Sequence, residues 1–201
     1  MRVVNQGDPG RIPRDSDLDE YLAHAEPAKL VIINGTKIVQ RWCPYCRIYK
    51  PPRSRHCYEC NACIRDYDHH CPWLSNCIGN DNYKLFVFLF AYGLAMLCYS
   101  LDTILVIITD LYPQIIDIFD AKFYHFLIYK KTTLFSIFLL YGIVSTICAL
   151  YFLMRIYLIV SNVTGHEFLT CAYPNYNPFN KGIYKNVSEF LQKPLFPSRL
   201  C

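Results

Sequence analysis

Residues 42–77 read WCPYCRIYKPPRSRHCYECNACIRDYDHHCPWLSNC and hold seven of the chain's 11 cysteines and three of its six histidines. Cys43/Cys46, Cys57/Cys60 and Cys60/Cys63 each have the C-x-x-C spacing. That spacing lets two thiolates from one tight turn reach the same tetrahedral metal at about 2.3 Å. A disulfide framework is the alternative. Seven is an odd number, the spacing is that of metal knuckles, and the N-terminal text MRVVNQGDPGRIPRDSD is polar with no apolar export segment. The stretch therefore reads as a zinc domain in a reducing compartment.

Ten Cys and His candidates in this window exceed the roughly eight that a pair of closed four-coordinate sites needs. Two are left without a structural role. Asp68, His69, His70 and Cys71 sit together at the end of the stretch. If one histidine and one cysteine of this tetrad are free, the segment holds a thiol, an imidazole that can take its proton and a carboxylate that can orient the imidazole. Spacing does not say which histidine ligates. A zinc module with redundant residues is the competing reading.

Working outward, the chain of 201 residues is 53% hydrophobic and only 18% charged, with a formal net charge of +4. It is too apolar for a disordered chain, and its charge is too thinly spread for a dedicated nucleic-acid binder. Two apolar runs follow the cysteine-rich stretch, at 85–108 and 134–160. A helix over the first extends about 36 Å, enough for a hydrocarbon layer of about 30 Å. The only ionisable residue of the first run is Asp102, and Arg155 of the second lies near its end, where it can snorkel to the interface. Both runs are predicted to be transmembrane helices. An even number of spans puts both ends on one side, and thiolates held on zinc make that side the cytosol. The expected order is a cytosolic lead-in (1–40), the zinc domain (41–84), a first span, a lumenal loop (109–133), a second span and a cytosolic tail (161–201), with a short strand at 30–33 and a turn at Asn34-Gly35.

The tetrad Asp68-His69-His70-Cys71, followed by Pro72-Trp73, Asn76-Cys77, Gly79, Asn82 and Phe86, resembles the DHHC family of protein S-acyltransferases (palmitoyltransferases). Lys50-Pro51-Pro52-Arg53-Ser54-Arg55-His56-Cys57 is similar to the family's basic stretch before its first histidine ligand. Thr164-Gly165-His166-Glu167 is similar to the TTxE element, with glycine for the second threonine. Asn177-Pro178-Phe179, Gly182 and Asn186 resemble the C-terminal NPF-type motif, and Asp8-Pro9-Gly10-Arg11-Ile12-Pro13-Arg14 the DPG-x-x-PR segment, notably of the Ras palmitoyltransferase branch. The resemblance implies interleaved zinc sites, Cys43, Cys46, His56 and Cys63 for one and Cys57, Cys60, His70 and Cys77 for the other. It leaves Cys71 to be acylated, His69 as base and Asp68 to fix its tautomer. Both zinc ions are then structural.

The implied fold is an α-helical membrane protein with a cytosolic, cysteine-rich two-zinc domain of short β-hairpins and loops. The family normally has four transmembrane helices, with the zinc domain between the second and third, so the first two are expected to be missing here. The implied activity is transfer of a long acyl chain from palmitoyl-CoA to cysteine thiols of protein substrates at the face of a lipid bilayer. Lys50, Arg53 and Arg55 are candidates for the CoA phosphates, and Trp73 for the mouth of the acyl site. The Ras-type resemblance implies an accessory subunit and a Golgi or endoplasmic reticulum membrane. The rival is a catalytically inactive, membrane-anchored zinc module.

Overall fold

Asn34 and Gly35 both have positive φ (47° and 78°), the backbone of a tight hairpin turn whose twist matches that of its strands. The turn joins β2 (Ala28–Ile33) to β3 (Thr36–Cys43), in full antiparallel register from Ala28↔Arg41 to Ile33↔Thr36. The computed structural model describes residues 5, 7–14, 27–111, 121, 125, 129 and 132–195. Within them, parts of the expected 1–40 lead-in form strands. Besides the hairpin, Arg11–Ile12 (β1) pairs with Ala62–Ile64 (β6). Asp8 accepts the amides of Gly10 and Arg11, and Asn76 donates to the carbonyl of Gly7. Sequence hydropathy misses this because the attachment is through backbone ladders and caps, not an apolar face. His24, with the rest of 15–26, lies outside the described residues.

The zinc domain is built from strands of two or three residues: β4 (Ile48–Tyr49), β5 (Arg55–Cys57), β6, β7 (His69–Cys71) and β8 (Asn76–Ile78). They form sheets ordered β1-β6-β5, β2-β3-β4 and β7-β8. Strands this short cannot bury enough apolar surface to hold themselves. Their core is largely cysteine, with Cys46, Cys63, Cys77, Ile64 and Ile78 fully buried. Gly79 is needed after β8, since a Cβ there would lie 2.5 Å from Ile64 and from the Pro9 carbonyl.

Two long helices follow, α1 (Tyr83–Leu111) and α2 (Thr132–Ser161). Their apolar spans, Tyr83–Asp110 and Ser136–Ser161, have mean hydropathies of 1.8 and 2.2, with only 6% and 0% of the most apolar windows buried. A core helix of a soluble protein would be covered, whereas these meet the length and composition to cross a membrane with their surfaces free for lipid. The helices extend one to three residues beyond the predicted runs at each end, taking in Lys84, Asp110 and the polar Thr132, Thr133 and Ser161, which end the apolar text without breaking the helix. Most of the predicted 109–133 loop, including Asp117, Asp120, Lys122, Lys130 and Lys131, lies outside the described residues. Ala121, His125 and Tyr129 within it are helical. Two short helices complete the chain, α3 (Gly165–Leu169) and α4 (Ile183–Gln192). The molecule divides into two units, Met1–Phe88 with Arg155–Cys201, and Leu89–Met154. The candidate site lies wholly in the first.

Candidate zinc and acyl-transfer site

The first CxxC turn, Cys43-Pro44-Tyr45-Cys46, is followed by Arg47 at φ 55°, and the second, Cys57-Tyr58-Glu59-Cys60, by Asn61 at φ 47°. Each left-handed residue turns the chain back so that both thiols of its pair face inward. The first pair is completed by His56 and Cys63, the second by His70 and Cys77. In each quartet all donor atoms lie within 4.8 Å of one another. Nδ1 of His56 stands 3.6, 3.4 and 3.8 Å from the sulfurs of Cys43, Cys46 and Cys63. Nδ1 of His70 stands 3.6, 3.4 and 3.6 Å from those of Cys57, Cys60 and Cys77. A tetrahedral zinc with sulfur at about 2.3 Å and nitrogen at about 2.0 Å requires S···N edges of roughly 3.6 Å. The quartets fit that ion. All ten described cysteines are free of disulfides. Burial pushes the Cys63 and Cys77 thiols well up, so they would become thiolates only on binding a metal.

Strand β7 carries the alternation that sorts the tetrad. Successive side chains on a strand point to opposite faces, so His70 turns to its zinc quartet while His69 and Cys71 share the other face. Cys71 belongs to neither quartet and is 6% exposed. Its neighbour Pro72 begins a short 3₁₀ turn, Pro72–Leu74, that presents Trp73 at 93% exposure. Nδ1 of His69 donates to Oδ2 of Asp68 at 2.7 Å, and the imidazole packs edge-on against Phe86, with ring centroids 5.4 Å apart.

Asp68 is 2% exposed. Its Oδ2 also accepts Nη1 of Arg155 at 2.6 Å, and its Oδ1 accepts the backbone N–H of Gly165. Burial works to raise the Asp68 carboxyl, but the bond from His69, the charge of Arg155 and the Gly165 amide together hold it below the usual carboxylate range. The carboxylate stays ionised and accepts from His69 Nδ1, so Nε2 is the ring nitrogen not engaged by Asp68. Arg155 and Gly165 are functional neighbours that sequence reading missed. The available signal was the arginine itself, since a charge in an apolar helix demands a buried partner.

Other candidates take different places. Arg53 does not face solvent. Its guanidinium grips Glu167 bidentately at 3.0 and 2.8 Å, donates to Oδ1 of Asn162 at 2.8 Å and stacks on Phe179 at 4.7 Å. These donors are committed within the fold, and the side chain is 10% exposed. Arg55 is exposed, with Nη1 against Nε2 of His166, and Lys50 is half-buried. Thr164 and Glu167 form a reciprocal capping box at the start of α3. The end of α2 is capped by side chains: Asn186 donates to the Val160 carbonyl at 2.7 Å and Asn177 to that of Ser161 at 2.9 Å. They satisfy carbonyls that a helix end leaves without partners. A cavity of about 310 Å³ behind Asp68 is lined by Arg53, Lys181 and Lys193 together with Asp66, Asp68 and Glu189, a balanced set of charges.

A family model described as DHHC palmitoyltransferase matches residues 36–172. Palmitoyltransferase ZDHHC8 of Drosophila melanogaster is 34% identical over 201 residues, covering 96% of this chain and 20% of its own length. Probable protein S-acyltransferase 6 of Arabidopsis thaliana is 31% identical, over 99% of this chain and 51% of its own. Putative ZDHHC-type palmitoyltransferase 1 of Dictyostelium discoideum is 46% identical over 94 residues, 45% of this chain and 21% of its own. The chain thus spans a fifth to about half the length of these curated relatives.

Proposed function

The chain belongs to the DHHC palmitoyltransferase family, and from that premise we propose that it is a protein S-acyltransferase whose Cys71 carries the acyl group between donor and substrate. The observation that supports this most directly is that Cys71 stands outside both quartets and on the same strand face as His69, whose ring Asp68 orients. Nε2 of His69 takes the Cys71 proton. The thiolate attacks the thioester carbonyl of palmitoyl-CoA, the new C–S bond forms, and CoA leaves as its thiol with that proton. A cysteine thiol of a protein substrate, deprotonated by the same nitrogen, then takes the acyl group and regenerates Cys71. A free thiol with a pKa near 8.5 is only about a few per cent ionised at neutral pH, which is the reason for the base.

The two zinc ions supply structural cross-links to the ligand set Cys43, Cys46, His56 and Cys63 and the set Cys57, Cys60, His70 and Cys77. Each quartet is complete, so no coordination position is assigned to water. The long donor chain is favoured because each methylene buried in the bilayer stabilises by about 0.8 kcal/mol. Exposed Trp73 next to the nucleophile suits an interfacial anchor at the acyl mouth. Lys50 and Arg55 are retained as contacts for the CoA phosphates. The proposed topology puts the zinc domain and both ends in the cytosol, in a Golgi or endoplasmic reticulum membrane, with an accessory subunit.

The test is incubation of the purified chain with an alkyne palmitoyl-CoA analogue. Hydroxylamine-sensitive label on wild type that disappears in Cys71→Ser supports the proposal. Label that persists in Cys71→Ser, or none on wild type, rejects it in favour of the inactive zinc module.

A further inference from the structure

Arg155 and His69 meet at two shared partners. Both donate to Oδ2 of Asp68, at 2.6 and 2.7 Å. Both also pack on Phe86: the Arg155 guanidinium lies 5.6 Å from the ring centroid and the imidazole 5.4 Å. Arg155 is 5% exposed, and a buried ion pair is a poor source of net stability, because desolvation takes back most of the Coulombic gain. The arginine's value therefore lies in where it holds the carboxylate and the ring beside it.

On the opposite side the carboxylate leans on backbone. The N–H of Gly165 donates to Oδ1, and a Cβ built at Gly165 would fall 2.9 Å from both carboxylate oxygens. No side chain fits there while Asp68 keeps its place. At this position the TTxE pattern has threonine and this chain has glycine.

Resting on the acyl-transfer reading above, we infer that Arg155 and Gly165 form a clamp on Asp68, and that Arg155 is a positioning residue that sets the His69 imidazole against Cys71. Its bond to Oδ2 of Asp68 and its place against the Phe86 ring are the two links by which it bears on His69.

The test uses the full chain in nanodiscs, with wild type, Arg155→Gln, Arg155→Lys, Gly165→Ala and the Arg155→Gln/Gly165→Ala double variant. In single turnovers, Arg155→Gln is expected to slow Cys71 acylation about 10- to 100-fold, the scale of a misplaced general base, with unchanged half-saturating palmitoyl-CoA and unchanged zinc content. Arg155→Lys, which keeps the charge and a donor, should recover to within about fivefold of wild type. The double variant should be little slower than the worse single one, as for two residues holding the same group. A wild-type rate in Arg155→Gln, or no recovery in Arg155→Lys, overturns the clamp. Hydrogen exchange at the Gly165 amide supplies a readout independent of acylation: it should accelerate about tenfold in Arg155→Gln and stay near wild type in Arg155→Lys. If wild type takes no label at Cys71, the acyl-transfer reading fails and the exchange result decides the clamp. Unchanged exchange at Gly165 sinks it in either case.

Discussion

At Arg53 one guanidinium joins the basic stretch of the zinc domain to α3 and to the end of α2, through Glu167, Asn162 and Phe179. Breaking a buried ion pair leaves the partner charge stranded, so Arg53→Ala should lower the stability of this unit by about 3 kcal/mol, measured by chemical denaturation in detergent. Arg53→Lys should also destabilise, because lysine cannot form the bidentate fork. From sequence this arginine reads as a phosphate contact, since its carboxylate partner lies 114 residues away and no local spacing pairs them. His166 gives a pH effect of known sign. Burial and the nearby Arg55 hold its imidazole below the ordinary range. The unfolded chain therefore protonates first. The resulting stability is fully present above about pH 6.5 and is lost as the pH falls toward the folded-state value. The melting-temperature advantage of wild type over His166→Gln should accordingly shrink between pH 7.5 and 5.5. Counting donors in the sequence leaves a thiol and an imidazole over from two closed sites, but not which histidine is spared; the pairing of β7 with β8, which sets His70 opposite Cys77, is not legible in the spacing.

Among the elements, the two apolar helices were the easiest to read, because a lipid-facing helix must be apolar all round. The Asn34-Gly35 hairpin was legible at its turn for the reason that both residues tolerate positive φ. The strands β4 to β8 were not, since two or three residues hold no period. Their residues are placed by the two donor quartets and not by hydropathy. His70 and Cys77 stand directly opposite one another across β7 and β8, so the second ion closes the hairpin that carries Cys71. Cys77→Ala should therefore reduce metal content from two to about one zinc per chain, destabilise β7 and abolish acylation, whereas Cys71→Ser keeps both ions. Elemental analysis alongside the acylation assay checks this pair. Chelation should inactivate the protein for the same reason.

For the whole molecule, the three N-x-S/T sequons are informative because their amides are already in use. Asn34 donates to the Pro178 carbonyl, Asn162 to that of Phe179 and Asn186 to that of Val160. A glycan at any of them would break these bonds, and all three lie in the unit that holds the zinc quartets. Protein from membranes should show no mobility shift on glycosidase treatment, and a shift would reject the cytosolic placement of this unit. The interleaving of the quartets has a further consequence for biosynthesis. His56 and Cys57 are consecutive in the chain yet serve different metals. The first quartet is complete when Cys63 is translated. The second waits for Cys77, just ahead of the start of α1 at Tyr83. As domains form in the order of synthesis, a nascent chain can load both ions before α1 reaches the translocon. Zinc scarcity would thus be registered on the ribosome, as chains whose quartets are still empty when α1 enters the membrane and which become substrates for quality control.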